Sequence, residues 1–370
     1  MNIPFNDLSR SKSLNKGFFV KLEELLLSGH YLFGPHTKEL EESLSVYLNI
    51  PYVRAVSSGT SALTLALKSL NLPENSTIIA SANSGSYARI AAEQAKLQTK
   101  YVDVDLNGII SLPQLKALDD NEACALVVTH LYGQIGDMLS LKEYCQNREI
   151  FLIEDCAQSF GATFEKRRAG SWGDIGVFSF YPTKNLAAMG DAGAIATSSS
   201  ELFARIQALS QYGWGNKYSV EIKGGENSRI DEIQAFILCN RLEVVDDQNR
   251  KRRKIWRRYA DALQNTTYRL LGTDADCFVA HLAVIDASQR RDDFRTFLQL
   301  RGIQTAIHYP IPDYQQEGFS DESISLPNTE YLTNSIFSIP IFPELTETEV
   351  QYICDALKDF AHQPQKVEIQ

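Results

Sequence analysis

Between about residues 15 and 245 the chain alternates between short apolar runs and amphipathic segments. β-Rich runs fall at Val53–Val56, Thr77–Ala80, Lys100–Val104, Ala125–Thr129, Ile150–Ile153, Gly176–Phe180 and Ala192–Thr197. Helix-like stretches separate them, and two more precede the first run, at Phe18–Leu27 before Gly29 and at about Thr37–Leu48. Strands that alternate with helices predict an α/β architecture with a mostly parallel seven-stranded sheet covered on both faces. In such sheets ligands bind beyond the carboxyl ends of the strands. Chemistry is therefore expected just after residues 56, 80, 154 and 180.

Near Arg229 the pattern changes to a long helical stretch that leads out of this region. The division expected is a large domain over 1–245 and a smaller α+β domain over 246–370, with about the first 30 residues packing on the small one. Strands are expected at Phe278–Ile285 and Ile303–His308, and helices at Ser288–Arg301 and Thr346–Phe360. Thr346 with Glu349 three residues on has the form of a capping box. The polar tail after His362 is expected to fray.

Charge narrows the function classes. The 370 residues carry a formal net charge of −10, which disfavours nucleic acid as a partner because phosphate neutralisation needs clustered Lys and Arg. The one basic run, Arg250 to Lys254 with Arg257 and Arg258, reads as a solvated helix face, with contact to an anionic substrate as the alternative. Six cysteines without a CxxC pair read as reduced thiols rather than a disulfide frame or metal site. The N-terminal stretch lacks an apolar secretory core, and no apolar run is long enough for a bilayer. A soluble cytoplasmic protein is the expectation.

Three constellations follow predicted strands. The first is SSGTSAL, Ser57 to Leu63. Gly59 permits a tight turn, and the helix that follows offers free N–H groups and partial positive charge to a phosphate, with Thr60 as a hydroxyl donor. An ordinary N-cap is the competing reading. The second is IFLIEDCAQSFG, where Asp155 ends a strand and Gln158 follows. A carboxylate buried there needs a cation, and a protonated pyridine nitrogen is one. A structural salt bridge or helix cap would also satisfy it. The third is FSFYPTKNLAAMGDAGAI, with Ser179 in a strand and Lys184 in an apolar, Gly-rich loop. Partial burial lowers a lysine pKa and makes the free amine a nucleophile toward an aldehyde. A lysine reaching out of a turn to solvent is the plainer alternative. Taken together, a phosphate anchor, a pyridine partner and a reactive lysine meet the needs of pyridoxal 5′-phosphate (PLP).

These motifs, together with YVDVD, HLYGQIGDM, NSRIDEIQA, IHYPIP and FSIPIFPELTETE, resemble the DegT/StrS-type sugar aminotransferases, a branch of the fold-type I PLP-dependent transferases. The resemblance runs over nearly the whole chain. It implies an aspartate-aminotransferase-like fold and a homodimer with active sites at the interface. It makes Lys184 the lysine that bonds to the cofactor aldehyde, Asp155 the partner of the ring nitrogen and Gln158 that of the ring oxygen. Gly59, Thr60 and Ser179 would hold the phosphate, and Asn227 would reach the phosphate of the other subunit's cofactor. Tyr309 and His308, in IHYP, would lie near the substrate, with Arg229 as a candidate there. A dehydratase offshoot carries histidine at the lysine position, so the presence of Lys184 favours transamination.

Three positions depart from the pattern of many relatives. Gly85 stands where an aromatic residue stacks on the ring, and Tyr87 is expected to replace it. Phe160 and Tyr314 stand where histidines are often found. The segment from Gln211 to Arg229 resembles relatives that act on 3-keto-6-deoxy sugars linked to dTDP, so the expected reaction is transamination of such a sugar with glutamate as donor. A 4-keto-6-deoxysugar nucleotide is the alternative. A non-catalytic PLP-binding regulator is a further one, against which Lys184, Asp155 and Gln158 speak.

Overall fold

The computed structural model describes residues 1–11, 16–118, 120 and 122–362. Seven strands build the principal sheet: β1 (Tyr52–Val56), β2 (Thr77–Ser81), β3 (Gln98–Val102), β4 (Ala125–Thr129), β5 (Phe151–Asp155), β6 (Ile175–Ser179) and β7 (Gly193–Thr197). Their spatial order is β1-β7-β6-β5-β4-β2-β3. Neighbours from β6 to β3 run parallel, whereas β7 is antiparallel to both β6 and β1. One strand of seven is thus reversed, and β1, β2, β5 and β6 open their carboxyl ends on the same edge. The seven runs expected from the pattern coincide with these strands to within two residues.

β4 is buried at all five positions, because it lies mid-sheet with both faces covered. Successive side chains of a strand point to opposite faces. Ile79, Leu126, Val128 and Leu152 accordingly join one apolar cluster, and Ile78, Val127, Ile153 and Val177 join another on the other side.

A second core surrounds a three-stranded antiparallel sheet of Arg269–Leu270, Ala283–Asp286 and Ile336–Ile339. Helices Arg291–Leu300 and Glu347–Ala361 cover it, with Phe294 stacked on Phe360 at 4.0 Å between ring centroids. The second helix opens with the expected capping box. The Glu349 N–H donates to Thr346 Oγ1 at 3.2 Å, and the Thr346 N–H donates to the Glu349 carboxylate at 2.9 Å. Ile3 is fully buried in this core and pairs with Ile303.

Several expected elements differ. Ile303–His308 forms no strand; it makes isolated bridges to Ile3 and, through Ala306, to Ser338. Its partners lie on two different segments, so no continuous ladder develops. Of Phe278–Ile285, the strand retains only Ala283 onward. Ser288–Arg290 is a 3₁₀ turn ahead of the α-helix. The long helical stretch is two helices, Glu232–Leu242 and Val245–Ala262. The expectation for the tail after His362 falls outside the described residues. Among the described residues no helix is long and apolar enough to cross a membrane.

One buried acid ties the N-terminal region to the frame. Helix Pro35–Leu48 begins after Gly34 without a side-chain cap of its own. Glu232, fully buried, accepts from the N–H groups of Gly34, His36 and Thr37, each at 2.9 Å, and from the Thr37 hydroxyl. It satisfies orphan donors and opposes the positive helix end. Glu232→Ala strands these donors and should cost about 2–4 kcal/mol. Chemical denaturation would measure it, and a loss below about 0.5 kcal/mol would contradict the assignment.

Candidate active site

Alternation along β5 sorts two adjacent acids onto opposite faces. Glu154 points into the core, where it accepts from the N–H groups of Gly170, Trp172 and Gly173 and meets His130 Nε2 at 3.0 Å. With Cys156 these groups are near enough for a metal, yet the Glu154 oxygens are already engaged by backbone donors. Asp155 points the other way, into a cavity of about 480 Å³ at the carboxyl edge of the sheet.

Asp155 is buried, and two donors reach it: the Ala157 N–H at 3.0 Å and the Thr129 hydroxyl at a long 3.4 Å. Burial raises its pKa, opposed by the Ala157 hydrogen bond and by Lys184 and His130. Such a carboxylate still needs a positive partner in the cavity. Lys184 sits in the same cavity, in the turn that follows β6 and contains Pro182. Burial lowers its pKa, and the Asp155 charge pulls it back only in part. The neutral, nucleophilic amine is favoured accordingly.

Gln158 is oriented by chemistry. The Tyr132 N–H, a donor only, reaches Gln158 Oε1 at 2.7 Å, so Nε2 must face the cavity, where it donates to the Tyr309 hydroxyl at 3.2 Å. His308 meets Ser338 Oγ at 2.9 Å through Nδ1. Burial, with Lys184 nearby, pushes its pKa down to about 4, so it is neutral at pH 7.

At the other end of the cavity stand Gly59, Thr60 and Ser179. Helix Gly59–Ser69 begins there, with Ser58 accepting from the Ser61 N–H at 3.1 Å. A Cβ on Gly59 would lie 2.5 Å from the Ser179 Cβ, and one on Gly193 would strike the Ser58 carbonyl at 2.5 Å. Only bare backbone lets the turn after β1 approach the ends of β6 and β7 this closely, and it leaves the N–H groups of Gly59 and Thr60 at the helix start facing a phosphate. Gly59→Ala is therefore expected to weaken cofactor binding at least tenfold and to cost about 1–3 kcal/mol of stability by overpacking. Absorbance titration with PLP and thermal unfolding test this, and wild-type affinity in the variant would refute the cradle.

The residues fit PLP: a phosphate cradle, a lysine held toward neutrality, a buried carboxylate lacking a cation and an amide donor share one cavity. Tyr87 lines it too. Gly85 has φ +83, and an added Cβ there would meet the Tyr309 and Tyr87 rings at 3.0–3.1 Å. The place an aromatic side chain at 85 would take is thus filled by these two tyrosines. Ser86 holds the turn, its N–H and hydroxyl donating to Asp313 at 2.8 and 3.1 Å.

Two predicted residues stand apart. Asn227 bridges to Gln211, and the Arg229 guanidinium lies near the Phe33 and Tyr212 rings; neither lines this cavity. Phe160 is buried against Tyr47, Phe178 and Phe180. Tyr314 is buried beside Tyr101 and donates to Glu330 at 2.7 Å. Sequence reasoning missed His281 and weighed Arg252 only as part of the basic run, without separating it from its neighbours; both line the cavity. His281 has no local signal, whereas Arg252 shares the 3.6-residue phase of Asn249, Trp256 and Tyr259.

Comparison with known proteins agrees with this geometry. The model of the DegT/DnrJ/EryC1/StrS aminotransferase family matches residues 12–358. The chain belongs to this family. This aminotransferase is 33% identical over 371 residues to the dTDP-3-amino-3,4,6-trideoxy-alpha-D-glucose transaminase of Streptomyces venezuelae, covering 97% of this chain and 96% of that one. It is 34% identical over 365 residues to the dTDP-3-amino-3,6-dideoxy-alpha-D-galactopyranose transaminase of Aneurinibacillus thermoaerophilus, covering 97% and 100%. The solved structure of S. venezuelae DesV with a ketimine intermediate superposes with a TM-score of 0.94 at 32% identity, covering 98% of this chain and 99% of that one. The protein is a PLP-dependent aminotransferase of the fold its sequence patterns predict.

Proposed function

We propose that this aminotransferase moves an amino group from glutamate to a nucleotide-linked keto-deoxysugar, specifically a dTDP-3-keto-6-deoxyhexose. The observation that carries the reading is the cavity uniting Lys184, Asp155, Gln158 and the Gly59–Ser179 cradle. Two relatives similar over 97% of the chain, both named for dTDP-3-amino sugars, support the choice of substrate. When bound, PLP supplies an aldehyde and an electron-withdrawing ring that let one site hold the amino group between donor and acceptor.

The residues divide the remaining work. Lys184, the proposed point of covalent attachment, becomes the general base once its amine is free and takes the proton from the donor α-carbon. The Lys184 ammonium gives that proton up to the carbon that was the cofactor's aldehyde, which restores the free amine, and in the second half-reaction Lys184 would carry a proton the opposite way, to the reacting carbon of the sugar. Asp155 holds a proton on the ring nitrogen, Gln158 donates to the ring oxygen, and Gly59, Thr60 and Ser179 bind the phosphate. Tyr87 supports the ring, and Tyr309 and His308 border the substrate.

The same reading divides the chain into units of 1–245 and 246–370 and pairs two copies in the cytoplasm. Pairing accounts for Asn227 and Arg229, which in one chain lie outside the cavity, Arg229 beside the exposed rings of Phe33 and Tyr212. Asn227 then serves the phosphate of the second copy. A panel of purified 3-keto and 4-keto sugar nucleotides, with glutamate and mass detection of amino-sugar products, tests the function. Faster turnover of a 4-keto sugar would displace the 3-keto assignment, and a monomer by light scattering would displace the pairing.

A further inference from the structure

The basic run beginning at Arg250 divides once folded. Arg253, Lys254, Arg257 and Arg258 face outward and pair with Asp276, Glu347, Asp274 and Glu347. This is the solvated face that the charge pattern predicts. Arg252 turns the other way and is 6% exposed. It lines the reaction cavity with Lys184, His281 and His308, and also an adjoining cavity of about 1030 Å³ that shares Lys184.

The guanidinium is underused. Nη1 donates to the Ile341 carbonyl oxygen at 2.8 Å, while Nε is buried with no acceptor among the described residues. Glu344 acts on it only at a distance, without a hydrogen bond, and burial pulls its pKa down to about 10. A buried permanent cation in this state lacks a counter-ion. His281 stands in the same wall. Asn185 Nδ2 donates to Asn249 Oδ1 at 2.7 Å and to the Val279 carbonyl, so Asn185 Oδ1 faces His281 Nδ1 at 2.7 Å. Nδ1 therefore carries the proton, and among the described residues the opposite ring nitrogen has no hydrogen-bond partner.

We propose that Arg252, with His281 beside it, binds a carboxylate of the amino-acid donor and orients that donor toward Lys184. The inference rests on the aminotransferase reading above and deepens it. A planar guanidinium fork matches a carboxylate and gains strength in a site shielded from water. The donor carries a carboxylate on the carbon whose proton Lys184 must reach, whereas a keto sugar has none beside its reacting carbon. The two substrates should therefore depend on Arg252 unequally.

The test uses holoenzyme carrying Arg252→Gln, Arg252→Lys or His281→Gln. The half-reaction with glutamate is followed by cofactor absorbance, and 2-oxoglutarate binding by titration calorimetry. For Arg252→Gln, half-saturating glutamate and the 2-oxoglutarate Kd should rise at least about 30-fold, with the sugar-nucleotide KM changing less than about threefold. Arg252→Lys should recover part of the loss. His281→Gln, which leaves the Arg252–Ile341 bond in place, should weaken both carboxylate ligands about fivefold if Arg252→Gln fails to fold. Unchanged carboxylate affinity, or equal losses for both substrates, overturns the proposal. Wild-type enzyme without any glutamate-dependent absorbance change would instead sink the aminotransferase reading itself.

Discussion

Lys184→Ala is expected to slow turnover by about 10⁴-fold or more while the protein still folds, because both covalent attachment and proton transfer disappear together. The fold should survive because the local turn is held by the backbone: the Lys184 N–H donates to the Tyr181 carbonyl at 2.8 Å whatever the side chain. Burial disfavours the ammonium, so its removal relieves a desolvation cost. Single-turnover absorbance with glutamate measures the rate, and borohydride treatment should link cofactor to the wild-type chain at this residue alone. Activity within tenfold of wild type would remove Lys184 from the chemistry.

The second large effect is expected from Asp155→Asn. Asparagine retains the shape and can still accept from the Ala157 N–H, so the substitution mainly deletes charge. Leaving a buried cationic ring nitrogen unpaired costs about 3–5 kcal/mol, which corresponds to roughly 10²–10⁴ in rate if the charge is needed in the transition state. The pH profile adds an independent sign. The Asp155 carboxylate raises the Lys184 pKa, and burial, the larger influence, lowers it. Deleting the carboxylate leaves burial unopposed, so the limb on which free amine accumulates should move to lower pH. A profile that stays in place, or moves upward, would mean that the two groups do not sense each other.

The sheet was legible because each strand is a short apolar run between helical stretches, and the partly buried place of Lys184 in the cavity because a lone charge among Ala, Gly and aromatic neighbours is unusual. Asp155 was legible through its place at a strand end. Less legible was what depends on distant partners. Ile303–His308 has strand composition, but its backbone divides between Ile3 and Ser338. Ser288–Arg301 carries a single helical pattern, but the chain enters it through a 3₁₀ turn. Arg252 was obscured by its charged neighbours, although helical phase alone separates it from them. His281 owes its place to Asn185, 96 positions away in the chain, and no window of sequence contains both.

The contact of Gly59 with Ser179 has a consequence for the protein without its cofactor. β1 is one of the sheet's two edge strands and hydrogen-bonds to a single neighbour, the reversed β7. On the proposed reading, a phosphate gripped from both Gly59 and Ser179 would act as a rivet across that neighbour, adding binding free energy to the hold on the margin. Stripped of PLP, the enzyme should exchange the amide hydrogens of β1 and β7 for deuterium sooner than those of β4. Vitamin supply would then govern how long the polypeptide lasts as well as how fast it works.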